Sequence, residues 1–75
     1  MDLRRVDLNL LVAFDMLMAE RSVTGAARRL SISQSTMSAT LPRLRRLFGD
    51  PIMIKQGRGL VATPLAEALA EPVRE

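Results

Sequence analysis

The feature that most constrains this chain is a pair of helical patterns separated by only three residues, Ser31-Ile32-Ser33. Ser22 precedes the first pattern and Ser33 precedes the second. Serine is a favoured N-cap because its hydroxyl accepts a hydrogen bond from a free N–H of the first helical turn. We therefore predict one helix over residues 23–30 and a second over residues 34–48. Two helices joined by so short a turn are typical of a helix-turn-helix unit.

One further helix is expected on each side of this pair. The first begins at Asp7 as N-cap and ends near Glu20, and the fourth begins at Thr63-Pro64, because threonine is a good N-cap and proline suits the first helical position. Apolar residues recur at helical spacing in all four segments. The expected buried residues are Leu8, Leu11, Phe14, Leu17, Met18, Val23, Ala26, Ala27, Leu30, Met37, Leu41, Leu44, Leu47, Phe48, Leu65, Ala66, Leu69 and Val73.

A β-hairpin is predicted between the third and fourth helices. Gly49 suits the positive φ that ends many helices, and Pro51 prevents the helix from continuing. The run Ile52-Met53-Ile54 favours a strand, Gly57-Arg58-Gly59 marks a turn, and residues 60–63 supply the returning strand. The expected fold class is mainly α: a winged helix-turn-helix of three helices with a small hairpin wing, followed by the start of a fourth helix.

Composition and charge fit a small helical domain with a basic centre. Of 75 residues, 48% are apolar and only two are aromatic, so the core must be aliphatic, which favours helices. Residues 21–58 hold eight basic residues and one acid, a charge of 8 − 1 = +7, whereas the flanks carry 3 − 7 = −4. This distribution suggests an anionic partner for the centre, and a solvated basic face is the alternative.

The residue types that are missing argue against an enzyme. The sequence has no Cys and no His, so it offers no thiol nucleophile, no histidine base and no usual zinc ligand set. We predict no catalytic residue, no metal and no cofactor. The start lacks the apolar core of a signal peptide, and no apolar run approaches the roughly 20 residues of a membrane span. A cytoplasmic protein without membrane contact is therefore expected.

The start of the third helix carries the candidate base-reading residues. The second helix of a helix-turn-helix enters the major groove of DNA with its amino-terminal residues against the base edges. Glutamine suits adenine, hydroxyls suit several base edges, and methyl groups suit thymine. The alternatives are a solvated polar face, or a winged-helix module for protein interaction or dimerisation. The predicted base-reading residues are Gln34, Ser35, Thr36, Ser38, Ala39 and Thr40.

Basic residues around this segment suit DNA phosphates, which position a protein without specifying sequence. Five arginines flank it, at positions 28, 29, 43, 45 and 46, and one or two of them are expected to cover the core with their stems. Arg58 at the hairpin tip suits a narrow minor groove, and a solvated turn residue is the alternative. The predicted phosphate or groove contacts are Thr24, Arg28, Ser33, Arg43, Arg46, Lys55 and Arg58.

Several blocks of this chain follow one another in a fixed order. They are Asp7-Leu8-Asn9-Leu10-Leu11, Arg21-Ser22-Val23-Thr24-Gly25-Ala26-Ala27-Arg28-Arg29-Leu30, Ser33-Gln34-Ser35-Thr36-Met37-Ser38, Leu44-Arg45-Arg46-Leu47-Phe48-Gly49-Asp50-Pro51, Gly57-Arg58-Gly59 and Thr63-Pro64. In residues and spacing they resemble the amino-terminal DNA-binding domain of the LysR-type transcriptional regulators. The opening block is most similar to the branch that regulates nodulation and aromatic-compound degradation.

The resemblance implies an organisation that composition cannot show. Residues 1–62 would form the winged domain, with recognition helix 33–48 in the major groove and Arg58 in or near the minor groove of double-stranded DNA. Residues 63–75 would start the linker helix through which two protomers form a homodimer. Intact members are several times longer, are commonly tetramers on interrupted palindromic operators, and bind a small-molecule inducer in an effector domain that this chain lacks.

Two residues of the recognition helix depart from the family pattern. Many members have proline after Gln34, where this chain has Ser35. Pro42 lies well inside the helix, where it removes the hydrogen bond to the Ser38 carbonyl at a cost of about 3 kcal/mol. We therefore expect a kink between Ser38 and Pro42, or a helix that loosens there.

Overall fold

The computed structural model describes residues 8–70, and these form a mainly α fold with one two-stranded antiparallel sheet. The predicted winged helix-turn-helix is confirmed, whereas the proposed N-cap Asp7 and the apolar Val73 lie outside the described residues. In chain order the elements are α1 (Leu8–Glu20), α2 (Val23–Leu30), α3 (Gln34–Phe48), β1 (Met53–Gln56), β2 (Gly59–Ala62) and α4 (Pro64–Ala70).

The helix-turn-helix pair forms at the predicted residues because both serine caps are made. The Ser22 hydroxyl accepts a hydrogen bond from the Gly25 N–H at 3.0 Å, and the Ser33 hydroxyl accepts one from the Thr36 N–H at the same distance. Between the helices, Ser31 adopts a left-handed conformation with φ of 57°. The next N–H, of Ile32, then donates to the Ala27 carbonyl at 3.0 Å. This turn fixes the angle at which α3 leaves α2.

The core is aliphatic, as predicted, with one aromatic pair inside it. Phe14 of α1 and Phe48 of α3 stack in a tilted arrangement, with ring centroids 5.4 Å apart. The largest fully buried side chains come from α1, α3 and the start of the hairpin: Leu17, Met37, Leu44, Ile52 and Met53. The small Ala26 and Ala27 are buried where α2 meets α1 and α3. The hairpin thus joins the core at its start, and side chains of β2 also pack against the core.

Three predictions of burial are wrong. Leu11 is 39% exposed, and Leu65 and Leu69 of α4 are 40% and 44% exposed. The buried face of α1 is centred on Leu10, Ala13, Phe14 and Leu17, which places Leu11 at its edge. In α4 only Ala66 is buried, because within the described residues this short helix packs mainly on β2.

The recognition helix passes through Pro42 without interruption. The expectation that the helix loosens there is therefore wrong, and the alternative of a kink stays a prediction. Leu41 is buried and Leu44 is fully buried against α1 and α2 on either side of the proline. Burial of these side chains outweighs the hydrogen bond that Pro42 removes, since tertiary packing commonly overrides local propensity. Gly49 then ends the helix with φ of 62°, as predicted.

Asp50 organises the passage from α3 into the wing. Its Oδ2 accepts hydrogen bonds from the Ile52 N–H at 2.7 Å and from the Thr63 hydroxyl at 2.6 Å. Thr63 in turn accepts a hydrogen bond from the Ala66 N–H at 3.2 Å, so it caps α4 as predicted. The one acid in the basic centre therefore has a structural role.

Candidate nucleic-acid interface

The exposed face of α3 divides into three rows, because residues three or four apart share a side of a helix. Ser35 and Ala39 lie opposite the buried side chains of the helix, and they are small, uncharged and exposed. Arg46 continues this outer row two turns further on. Gln34 and Ser38 form the row on the side of the wing, and Thr36 and Thr40 form the row on the side of α1. The backbone of the outer row can approach another molecule closely.

The wing-side row opens on a concave cleft of about 290 Å³. Three elements meet there: the start of α2, the start of α3, and the hairpin. The predicted contact residues that this cleft brings together are Thr24, Gln34, Ser38, Lys55 and Arg58. The lining is completed by Ser22, Val23, Gly59 and Leu60. Two cations thus stand beside the polar start of the recognition helix, in a cleft open to solvent.

Thr36, Thr40 and Arg43 do not line this cleft. They line a groove of about 390 Å³ against α1 and the helix-turn-helix turn, together with apolar side chains such as Val12 and Ile32. The hydroxyls of both threonines already have hydrogen-bond partners within the protein. The Ser33 hydroxyl donates to Thr36 Oγ1 at 2.8 Å, and Thr40 Oγ1 donates to the Thr36 carbonyl at 2.8 Å. Of the six candidate base-reading residues, only Thr40 is half-buried; the other five are exposed.

The flanking arginines differ in whether their side chains are bound to other groups of the protein. Arg29 pairs with Glu20, with Nη1 2.8 Å from Oε2. Arg45 donates to the carbonyls of Pro51 and Met53 at 3.0 and 2.9 Å, and it thereby holds the base of the wing. By contrast, four exposed cations make no side-chain hydrogen bond or ion pair within residues 8–70: Arg28, Arg46, Lys55 and Arg58.

Sequence reasoning does not assign Ser22, Val23, Gly59 or Leu60 to the site, although all four line the cleft. The sequence marks Ser22 only as a cap and Gly59 only as a turn residue. Their place in the cleft depends on how the wing packs against α2, for which the sequence holds no local signal.

Two kinds of alternative site are missing from the described part of the chain. Within residues 8–70, no three His, Cys, Asp or Glu side chains are grouped so that they could hold a metal ion. No helix in that range combines the length and apolar character needed to cross a membrane. The candidate site consists of the cleft and the outer row of α3.

Comparison with known proteins assigns this geometry to a family. Residues 8–67 match the family model described as bacterial regulatory helix-turn-helix protein, lysR family. Nodulation protein D 1 of Rhizobium meliloti (strain 1021) is 57% identical over all 75 residues. The match covers 100% of this chain and 24% of that protein, so the chain spans about a quarter of the length of such relatives.

Solved structures show the same fold. The crystal structure of a probable transcriptional regulator from Pseudomonas aeruginosa superposes with a TM-score of 0.86 at 47% identity, covering 91% of this chain and 23% of that one. A BenM DBD in complex with benA site 1 DNA superposes with a TM-score of 0.78 at 26% identity. That superposition covers 87% of this chain and 73% of the BenM chain.

Proposed function

The chain belongs to the lysR family of bacterial regulatory helix-turn-helix proteins, and we propose that it binds double-stranded DNA sequence-specifically, with α3 in the major groove. The observation that carries the proposal is the cleft in which Gln34 and Ser38 of α3 stand beside Lys55 and Arg58 of the wing. A helix that reads bases and a wing that follows the backbone need this juxtaposition of polar and cationic groups.

Base readout is proposed for the outer and wing-side rows of α3. Gln34 suits a bidentate contact with the N6 and N7 of adenine, and the Ala39 methyl suits the thymine methyl. Because Ser35 and Ala39 are short, the helix can seat deeply in the major groove. Thr36 and Thr40, on the other row, contribute through their remaining lone pairs and methyl groups.

Phosphate and groove contacts are proposed for the cations that have no partner within residues 8–70. Arg28 and Arg46 lie on α2 and α3, and Lys55 lies beside the cleft. Arg58 extends from the hairpin tip and would enter or border the minor groove, where a lone arginine is favoured over A·T-rich sequence. Thr24, Ser33 and Arg43 complete the proposed contact set. The BenM complex with DNA supports DNA binding by this fold, since that domain superposes on this chain.

The proposed partners are an interrupted palindromic operator and a second copy of the chain. Residues 1–62 would act as the reading domain, and residues 63–75 as the start of a linker helix that pairs two protomers. The exposed Leu65 and Leu69 support this, because an exposed apolar helix face is typical of a protein–protein interface. In the intact protein, we propose a tetramer controlled by a small-molecule inducer in a separate effector domain.

Selection from a random duplex library at low salt tests the proposal. The expected result is enrichment of an interrupted palindrome or of one repeated half-site. Binding without enrichment would show that the chain holds phosphates without reading bases. If no duplex is retained even at low salt, the winged-helix interaction module replaces the DNA-binding proposal.

A further inference from the structure

Arg21 lies where α1, α2, the wing and α4 meet. It occupies the turn between the first two helices, with φ of 54°. Its Nε donates to the Met18 carbonyl at 2.7 Å. Its Nη2 lies 3.3 and 3.2 Å from the two carboxylate oxygens of Glu67 on α4. The guanidinium is thus held by α1 and by α4. Arg21 is counted among the basic residues 21–58, but its side chain is already bound to protein groups.

The backbone of the same residue holds the wing. The Leu60 N–H of β2 donates to the Arg21 carbonyl at 3.2 Å. In the hairpin, Leu60 pairs with Lys55. Only the pair of Gln56 and Gly59 separates this contact from the turn that carries Arg58. A Cβ added to Gly59 would lie 3.7 Å from the same carbonyl oxygen, which shows how closely β2 passes over the turn.

Two arginines therefore attach the wing by hydrogen bonds, one near its base and one near its tip. Arg45 holds β1 near the base of the hairpin, through the Met53 carbonyl. Arg21 holds β2 near the tip. An isolated two-stranded hairpin is only marginally stable in water, so the direction of the tip depends on such attachments.

We infer that Arg21 is a positioning residue that sets where the wing carries Arg58, and that Glu67 of α4 keeps Arg21 in place. The inference rests on the proposed DNA binding. It gives α4 a second role, because any movement of α4 that draws Glu67 away would release Arg21 and with it the tip of the wing. The ligand of the wing is the DNA backbone or minor groove, and Arg21 itself does not touch it.

Glu67→Gln separates this role from a simple charge effect. Removing a negative charge should by itself tighten binding to DNA. Loss of the support for Arg21 should instead weaken binding to the selected operator, by about two- to fivefold, the range that a surface ion pair provides. The affinity measured by fluorescence anisotropy therefore changes in opposite directions under the two accounts.

Arg21→Ala and Arg29→Ala form a matched pair. Each removes one arginine of the basic centre that is ion-paired with a glutamate, and only Arg21 contacts the wing. Each is measured alone and with Arg58→Ala. If Arg21 acts through the wing, its effect is smaller once Arg58 is gone, whereas the effects of Arg29 and Arg58 add. Additive effects for both pairs, or tighter binding by Glu67→Gln, would overturn the inference.

Hydrogen exchange of the Leu60 amide tests the contact between Arg21 and the wing in the absence of DNA. Exchange should be faster in Glu67→Gln than in the wild-type chain, and unchanged in Arg29→Ala, which leaves the wing attachment intact. Equal exchange in all three proteins would overturn the inference even if Arg21→Ala fails to fold. If the wild-type chain binds no duplex, the proposed function fails, and this measurement still decides whether Arg21 holds the wing.

Discussion

Replacing Arg46 by alanine should lower the salt dependence of DNA binding, while the same change at Arg29 should not. Arg46 is exposed on the outer row of α3 and has no partner within residues 8–70, whereas Arg29 is paired with Glu20. Each cation that neutralises a phosphate contributes about −0.9 to the slope of log K against log salt. The four cations without partners then contribute about −3.6 to the slope per protomer, and Arg46→Ala reduces their contribution to about −2.7.

The assay is fluorescence anisotropy with a labelled duplex between about 50 and 200 mM salt, where one phosphate contact changes affinity roughly 3.5-fold. Alanine is the best helix former, so Arg46→Ala leaves α3 intact and circular dichroism should be unchanged. Arg29→Ala controls for the loss of one positive charge. If the two variants shift the slope equally, or if only Arg29→Ala shifts it, then partner-free cations are not the phosphate contacts.

Three further predictions concern stability and assembly. Asp50→Ala removes two hydrogen bonds to a carboxylate and should cost about 3 kcal/mol, lowering Tm by roughly ten degrees or more; a thermal melt within three or so degrees of wild type would contradict it. Pro42→Ala should raise Tm, because the Ser38 carbonyl regains its helical donor; an unchanged or lower Tm would refute a strained α3. Leu69→Glu should reduce self-association in sedimentation more than the neighbouring control Ala68→Glu, and equal effects would exclude a contact through this face of α4.

The helix-turn-helix could be predicted from the sequence because its signals are local. A cap hydroxyl reaches an N–H three residues ahead, so Ser22 and Ser33 define the starts of α2 and α3 wherever the rest of the chain lies. Gly49 is similarly local, since its positive φ ends the helix without reference to any distant residue.

Other features depend on contacts between residues far apart in the chain. Leu11 matches the helical pattern of α1 as well as Leu10 does, and only the position of α2 and α3 decides which is buried. Ile52 adopts φ of 52°, which a β-branched residue rarely does. Its full burial and its hydrogen bond to Asp50 hold it there, and neither is visible in sequence order.

The same limit applies to the candidate site. Residue types alone placed Gln34 and Thr36 in one base-reading set, but the wing and α1 divide them between a cleft and a separate groove. Arg21 and Arg45 are as basic as Arg46, yet their side chains are bound to protein groups that only the fold brings near. Charge can be counted from the sequence, whereas the availability of each charge cannot.

The most direct test of base reading by α3 compares Gln34→Ala with the wild-type chain in selection from a random duplex library. A bidentate contact with a base is worth about 1–3 kcal/mol. The variant should therefore bind the wild-type operator roughly 5- to 150-fold more weakly and lose its preference at one base pair of each half-site, with non-specific binding unchanged. If both proteins select the same sequence with the same stringency, Gln34 reads no base, and the proposed orientation of α3 in the major groove is wrong.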